Sequence, residues 1–170
     1  VKVWRARPPT FPRERPEGER NLVYKHWRFG LAAVYAEAED TDWAGKLNDA
    51  DAKAAARYVL EGNGGFPAWI EPLANAHPVA IDQTLGNELS WEMDQPPGLH
   101  GFSSLLYGIE QTSEEVARLF VPRLTDWLDA GGDLRGGEDD AIGMVERIRR
   151  VASIILKHGD DDTIQRLQQT

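Results

Sequence analysis

Glycine and proline punctuate the stretch from Leu47 to Met93 so often that it admits only short helices. It reads LNDADAKAAARYVLEGNGGFPAWIEPLANAHPVAIDQTLGNELSWEM. Asn48 or Asp49 can cap a first helix, in which Ala52, Ala55, Ala56, Val59 and Leu60 form a stripe at helical spacing. Small side chains on that stripe let a second helix approach closely. Gly62, Gly64 and Gly65 end it. Pro67 suits the first turn of a short helix through Trp69, Ile70 and Leu73, and Pro72 stays within reach of that turn. Pro78 opens a third helix, with His77 placed to cap it and Ile81, Leu85 and Leu89 at i+4 steps. Gln95-Pro96-Pro97-Gly98 stops it.

The flanking segments carry the same period. From Asn21 to Ala38, residues Val23, Tyr24, Trp27, Leu31, Val34, Tyr35 and Ala38 share one broad face, and Gly30 leaves room for a neighbour. His100 to Ile109 is expected to be helical, with Phe102, Leu105, Leu106 and Ile109 inward. Thr112 and Glu115 have capping-box form. After them Val116, Leu119, Phe120, Leu124, Trp127 and Leu128 form a stripe that Pro122 must kink or break. Asp140 to Lys157 predicts a long helix. Its main face is Ala141, Val145, Ile148, Ala152 and Ile155, widened by Met144, Val151 and Leu156. Gly159 ends it, and Asp160 to Asp162 can cap a last short helix through Ile164 and Leu167.

No segment sustains the alternation of a strand, so the chain reads as all-α. Short connections favour antiparallel helix pairs, and wide apolar faces favour stacking them as a short HEAT-like α-solenoid. The alternative is an irregular helical bundle. Residues 21–170 form the expected helical-repeat domain. Residues 1–20 gather Lys2, Arg5, Arg7, Arg13 and Arg15 among Pro8, Pro9, Pro12 and Pro16. They are expected to be an extended basic arm or linker that packs Trp4 or Phe11 on its neighbour.

Composition narrows the function classes. A net charge of −9 disfavours nucleic acid as a partner. No apolar run reaches the roughly 18–20 residues that span a bilayer, so no membrane is expected. The absence of cysteine excludes disulfides, thiol catalysis and Cys-ligated zinc, and fits a cytoplasmic protein. Beginning at Val1, with no signal peptide in view, the chain reads as a piece of a longer protein.

Few residues point to chemistry. There is no Walker A sequence, and the glycines from Gly131 to Gly137 lie among acidic residues that would repel phosphate. The calcium-loop spacing is missing as well. His26, His77, His100 and His158 form no HExxH or close pair, and Ser103, Ser104 and Ser113 lack a nucleophile-elbow context. His158 sits where a partly charged imidazole suits a helix C-terminus. Glu88 and Glu92 lie four apart on one helix and can share a proton or a metal, but solvated charges at a helix edge are commoner. Trp69, Trp91, Trp127 and Tyr107 can stack on sugars or bases, but aromatics at helical spacing are more often core; Trp91 falls off the Ile81/Leu85/Leu89 stripe, so it either packs on a second helix or marks a contact surface. No catalytic, cofactor or metal residue is therefore assigned, and Trp91, Glu88 and Glu92 are the candidate partner-binding residues.

The pattern also resembles a known style of protein. Leu47-Asn48-Asp49-Ala50-Asp51-Ala52, Ala54-Ala55-Ala56-Arg57-Tyr58 and Phe66-Pro67-Ala68-Trp69-Ile70 carry the likeness, with Ala74-Asn75-Ala76-His77-Pro78 and Glu88-Leu89-Ser90-Trp91-Glu92 after them. The helices around Arg118 to Asp129 and Arg147 to Asp160 fit the same style. The region from Asn48 to Leu167 thus resembles the helical-repeat parts of large bacterial regulators with a NACHT-type (STAND) NTPase. The resemblance implies sensing of a ligand or partner, with nucleotide hydrolysis in a separate module absent from this sequence. The expected function is a non-catalytic module for protein–protein interaction or ligand sensing in a bacterial signalling or defence protein. Its partner is another protein or other domains of the same parent chain. A small all-α enzyme using Glu88 and Glu92, or a structural spacer, is the alternative.

Overall fold

In a computed structural model the chain is all-α. The structure describes residues 3–20, 22, 24–62, 65–97, 104–132 and 141–167, and no strand occurs among them. The chain divides into two compact units, Val1–Glu88 and Leu89–Thr170.

The first unit begins with a short helix α1 (Val3–Ala6) and two 3-10 turns, Pro12–Glu14 and Glu17–Glu19. Then come α2 (Lys25–Glu37), α3 (Trp43–Lys46) and α4 (Asp49–Ala56), which tightens into a 3-10 turn at Arg57–Glu61. Helices α5 (Ile70–Ala76) and α6 (Pro78–Ile81) follow. A π-helical turn at Asp82–Gly86 leads into α7 (Asn87–Asp94), within which the unit boundary falls.

The basic N-terminal segment is not an extended arm. Trp4 and Phe11 are fully buried, and α1 packs against α2 and α4. Burying an aromatic side chain stabilises by roughly 1.5–3 kcal/mol, which offsets part of the entropy of ordering this proline-rich stretch. Arginines fasten it. Arg57 forks onto Glu14 with two bonds of 2.7 Å and donates to the Pro9 carbonyl at 3.0 Å. Arg5 bridges Glu37 at 2.9 Å and Asp51 at 3.0 Å while lying 4.0 Å from the Trp4 ring centre. Both aromatics expected to pack do so, but as part of the core.

Local signals set several boundaries. Asn48 caps α4, its Oδ1 accepting the Asp51 N–H at 2.9 Å. Ala52, Ala55, Ala56 and Val59 are buried as expected. His77 occupies the N-cap position of α6 but does not cap with its side chain. Its ring instead joins Asp49 at 3.0 Å and the Ala44 carbonyl at 3.0 Å. Helix α2 starts at Lys25 and buries Trp27, Gly30 and Val34, leaving Tyr24 and Tyr35 partly outside.

The second unit holds the rest of α7, then α8 (Ser104–Gln111), α9 (Glu114–Arg118), α10 (Val121–Asp129), α11 (Ala141–His158) and α12 (Asp161–Leu167). Helix α11 is its axis, packing on α8, α9, α10 and α12. Pro122 acts as expected: α9 stops at Arg118, and α10 restarts with the proline in its first turn. The Thr112/Glu115 capping box is not formed. Ser113 takes the N-cap position without a side-chain bond, so the helix starts one residue later. Asp160 caps α12 through the Thr163 N–H at 2.8 Å. His100, Phe102, Ser103 and the acidic loop at 133–140 lie outside the described residues.

Helix α11 is rotated from the expected face. It buries Met144, Arg147, Val151, Ile154, Ile155 and His158, while Ala141, Ile142, Val145 and Leu156 stand exposed. The buried face carries an arginine that the apolar stripe passed over. Arg147 donates to the carbonyls of Met93 at 3.1 Å and Gln95 at 2.8 Å, groups left unpaired at the end of α7. Satisfying them outweighs placing Val145 inside.

Candidate binding clefts

An aromatic cluster shapes the first unit beside the end of α2. Trp43 meets Trp4 edge to face at 6.4 Å and Trp69 at 6.2 Å, and Tyr35 meets Trp69 at 6.3 Å. The near-perpendicular rings cannot close the space among themselves. They leave a cleft of about 480 Å³, lined by Tyr35, Trp43, Trp69 and Pro72 with Glu39 and Asp40. That volume falls within the roughly 300–1,000 Å³ of ligand pockets.

Tyr35 is 47% exposed, so it offers a ring face that the more buried tryptophans do not. Asp40 is engaged by Lys46, whose ammonium holds its carboxyl below the usual range. Glu39 has no ion pair among the described residues. Helix α2 ends here, and the negative end of its dipole adds up to roughly half a charge. Its first turn carries Lys25 and Arg28 and no acidic residue, and its last turn carries no basic one, so nothing in the helix opposes that polarity. The cleft is therefore apolar in its walls and negative at its rim.

Glu37, just behind, is held below the usual carboxylate range chiefly by Arg5, with help from the indoles of Trp4 and Trp43. Neither indole makes a strict hydrogen bond. The Trp69 indole N–H is buried and has no partner among the described residues. A buried donor of this kind calls for an acceptor.

The second unit has a smaller cleft of about 240 Å³. Leu89, Met93, Leu124 and Trp127 form its apolar part, with Ser90 and Arg123, 3.4 Å apart, on its edge. Trp127 is fixed by close packing, for a Cβ on Gly132 would lie 2.2 Å from its ring.

The sequence-derived candidates lie elsewhere. Glu88 is not a solvated charge. It is completely buried, 2.7 Å from the Arg13 guanidinium. Glu92 is half-buried and accepts the Leu105 N–H at 3.3 Å. The two carboxylates thus each meet a partner within their own unit. Trp91 is half-buried and lines neither cleft. His158, expected to sit partly charged at a helix end, is instead buried, and desolvation pushes its pKa down. Among the described residues, no cluster of three or more His, Cys, Asp or Glu side chains is placed to hold a metal.

Sequence reasoning missed Tyr35, Glu39 and Asp40. Tyr35 was placed on the buried face of its helix. Helical periodicity gives no means of telling an inward aromatic from one at the edge of a gap. No helix among the described residues is long and apolar enough to cross a membrane. No family model, curated protein or solved structure matches the chain.

Proposed function

We propose that this chain is a non-catalytic interaction module whose first unit takes part of a protein partner into the Tyr35–Trp43–Trp69 cleft. The observation that carries this reading is an aromatic-walled cleft with an unpaired carboxylate at its rim. Amphipathic tips of protein side chains match such walls, where the apolar part replaces water and a polar end stays at the rim. The titratable groups that sequence reasoning singled out support the same view. His77, Glu88 and Glu92 are each spent on internal contacts.

The resemblance to helical-repeat parts of NACHT-type regulators fits this role. In that setting the module is a cytoplasmic sensor of HEAT-like helix pairs, reporting to a nucleotide-hydrolysing module elsewhere in the parent protein. The test is a titration of the isotope-labelled chain with capped tetrapeptides carrying acidic, basic, aliphatic or aromatic central residues. At least one class should shift the amide signals of Tyr35, Trp43 and Trp69. Tyr35→Ser, with its helical content unchanged, should lose that response. If no class perturbs these signals at millimolar peptide, the cleft is not a binding site.

A further inference from the structure

We propose that the first-unit cleft is completed by an arginine of a protein partner, its guanidinium against the Tyr35 ring and paired with Glu39. This rests on the reading of the chain as an interaction module.

The unit itself supplies the template. In two places among the described residues an aromatic face lies beside a carboxylate, and an arginine of the chain occupies each. Arg5 covers Trp4 at 4.0 Å while pairing with Glu37 and Asp51. Arg57 covers Phe11 at 4.7 Å while forking onto Glu14. The second unit repeats the device with Arg150 over Tyr107 at 5.6 Å, paired with Glu110 and Glu146. The cleft has the same two ingredients: an accessible ring at Tyr35 and an unpaired carboxylate at Glu39. Among the described residues no arginine lines it. Lys46 engages Asp40 and leaves Glu39 available.

Physical chemistry favours arginine over lysine here. A guanidinium is planar and weakly hydrated, so it stacks on an aromatic ring and forks onto a carboxylate at small desolvation cost. An ammonium holds its water more strongly and gains less from aromatic walls. Trp69, the N-cap of α5, also lines the cleft, and that helix end contributes a positive half-charge at most. The full charge of Glu39 outweighs it, since Lys46 offsets that of Asp40.

The experiment uses four capped tetrapeptides that differ only at the second residue: arginine, lysine, citrulline or norleucine. Binding is read from tryptophan fluorescence and from the cleft amide shifts. Arginine should bind about tenfold more tightly than its neutral isostere citrulline and a few-fold more tightly than lysine. Glu39→Gln should weaken the arginine peptide about three- to fivefold and leave the helical content unchanged. Citrulline binding as tightly as arginine, or Glu39→Gln without effect, overturns the proposal. If lysine or norleucine binds as well as arginine, the arginine assignment fails while the interaction module stands. If no peptide reaches the cleft, both fall.

Discussion

The ring of Tyr58 occupies the space where Gly30 would carry a side chain. A Cβ there would lie 2.2 Å from the Tyr58 hydroxyl oxygen and 2.5 Å from a ring carbon. The hydroxyl donates toward the carbonyls of Trp4 at 3.2 Å and Arg7 at 3.3 Å. A glycine in mid-helix thereby links α2, the turn after α4 and the N-terminal segment. Gly30→Ala gains roughly 1 kcal/mol of helix propensity. It must also displace a buried ring and break these bonds, which costs more. We expect a net loss of about 1–3 kcal/mol by urea unfolding. Tyr58→Phe should not rescue it, because the ring carbons still clash. A neutral Gly30→Ala would mean that Tyr58 is free to move.

Tyr58 also predicts alkaline sensitivity. Burial, with the Glu61 carboxylate second, pushes its phenol up to about 12. The folded state therefore holds a proton that the unfolded chain releases near pH 10. Stability is intact below that value and falls as pH rises from 10 to 12. Tyr58→Phe loses the hydrogen bonds at neutral pH but has no proton to lose. The stability gap between wild type and Tyr58→Phe should narrow over this window. A constant gap would show that the phenol ionises as easily folded as unfolded.

Arg57 predicts the fate of the N-terminal segment. Its fork holds the Glu14 carboxyl below the usual range, helped by the Phe11 N–H. A depressed carboxylate stabilises above its unfolded pKa of about 4.5, and the benefit is lost as pH falls through the lower folded value. Arg57→Lys keeps the charge but loses the two-pronged geometry and the cover over Phe11. Limited proteolysis should then cut between residues 15 and 24 faster than in wild type, with little change in the second unit. Equal cutting rates would place the anchor in Trp4 and Phe11 alone.

The sequence made some of this legible for identifiable reasons. Local rules located the Asn48 cap, the Pro122 break and the Ala52/Ala55/Ala56 stripe, because each depends on residues within a turn or two. It misplaced features decided by distant partners. The His77 ring is claimed by Asp49 and Ala44, and the face of α11 is chosen by carbonyls near Met93. The cleft was the least legible. It is a gap left by the angles among Tyr35, Trp43 and Trp69, and no spacing in the chain encodes that gap.

His158 predicts acid sensitivity in the second unit. Its ring is buried, and neither nitrogen has a partner among the described residues. Desolvation lowers its pKa, Lys157 and Arg118 add to the effect, and Glu114 opposes it. The unfolded chain thus binds a proton near pH 6.5 that the folded ring resists. Stability is present above that value and is lost as pH falls through the lower folded pKa. His158→Leu keeps an apolar group in place and removes the titration. The difference in thermal midpoint between the two proteins should shift in favour of His158→Leu between pH 7.5 and 5. A flat difference would mean that the imidazole is charged as readily in the fold as outside it.

Arg147 sets two opposing costs against each other. A guanidinium only 2% exposed has lost most of its hydration, a penalty of several kcal/mol. In return it satisfies the carbonyls of Met93, in the last turn of α7, and Gln95, just past it; the residues three and four beyond Met93 are Pro96 and Pro97, which have no N–H to offer. Arg147→Met nearly preserves volume and abolishes the buried charge, but leaves both carbonyls without this donor. Hydrogen bonds to a charged group are worth about 1.5–3 kcal/mol each, and part of that is recovered by no longer burying the cation. We expect a net loss of about 2–3 kcal/mol in Arg147→Met, accompanied by faster amide exchange at Met93 and in the last turn of α7. If the methionine variant is as stable as wild type, the cost of the buried cation equals what its bonds return. Arg147 would then select which face of α11 turns inward without adding to stability. In that case Ile142 and Val145, now exposed, should become protected in the variant as α11 rotates toward its apolar stripe.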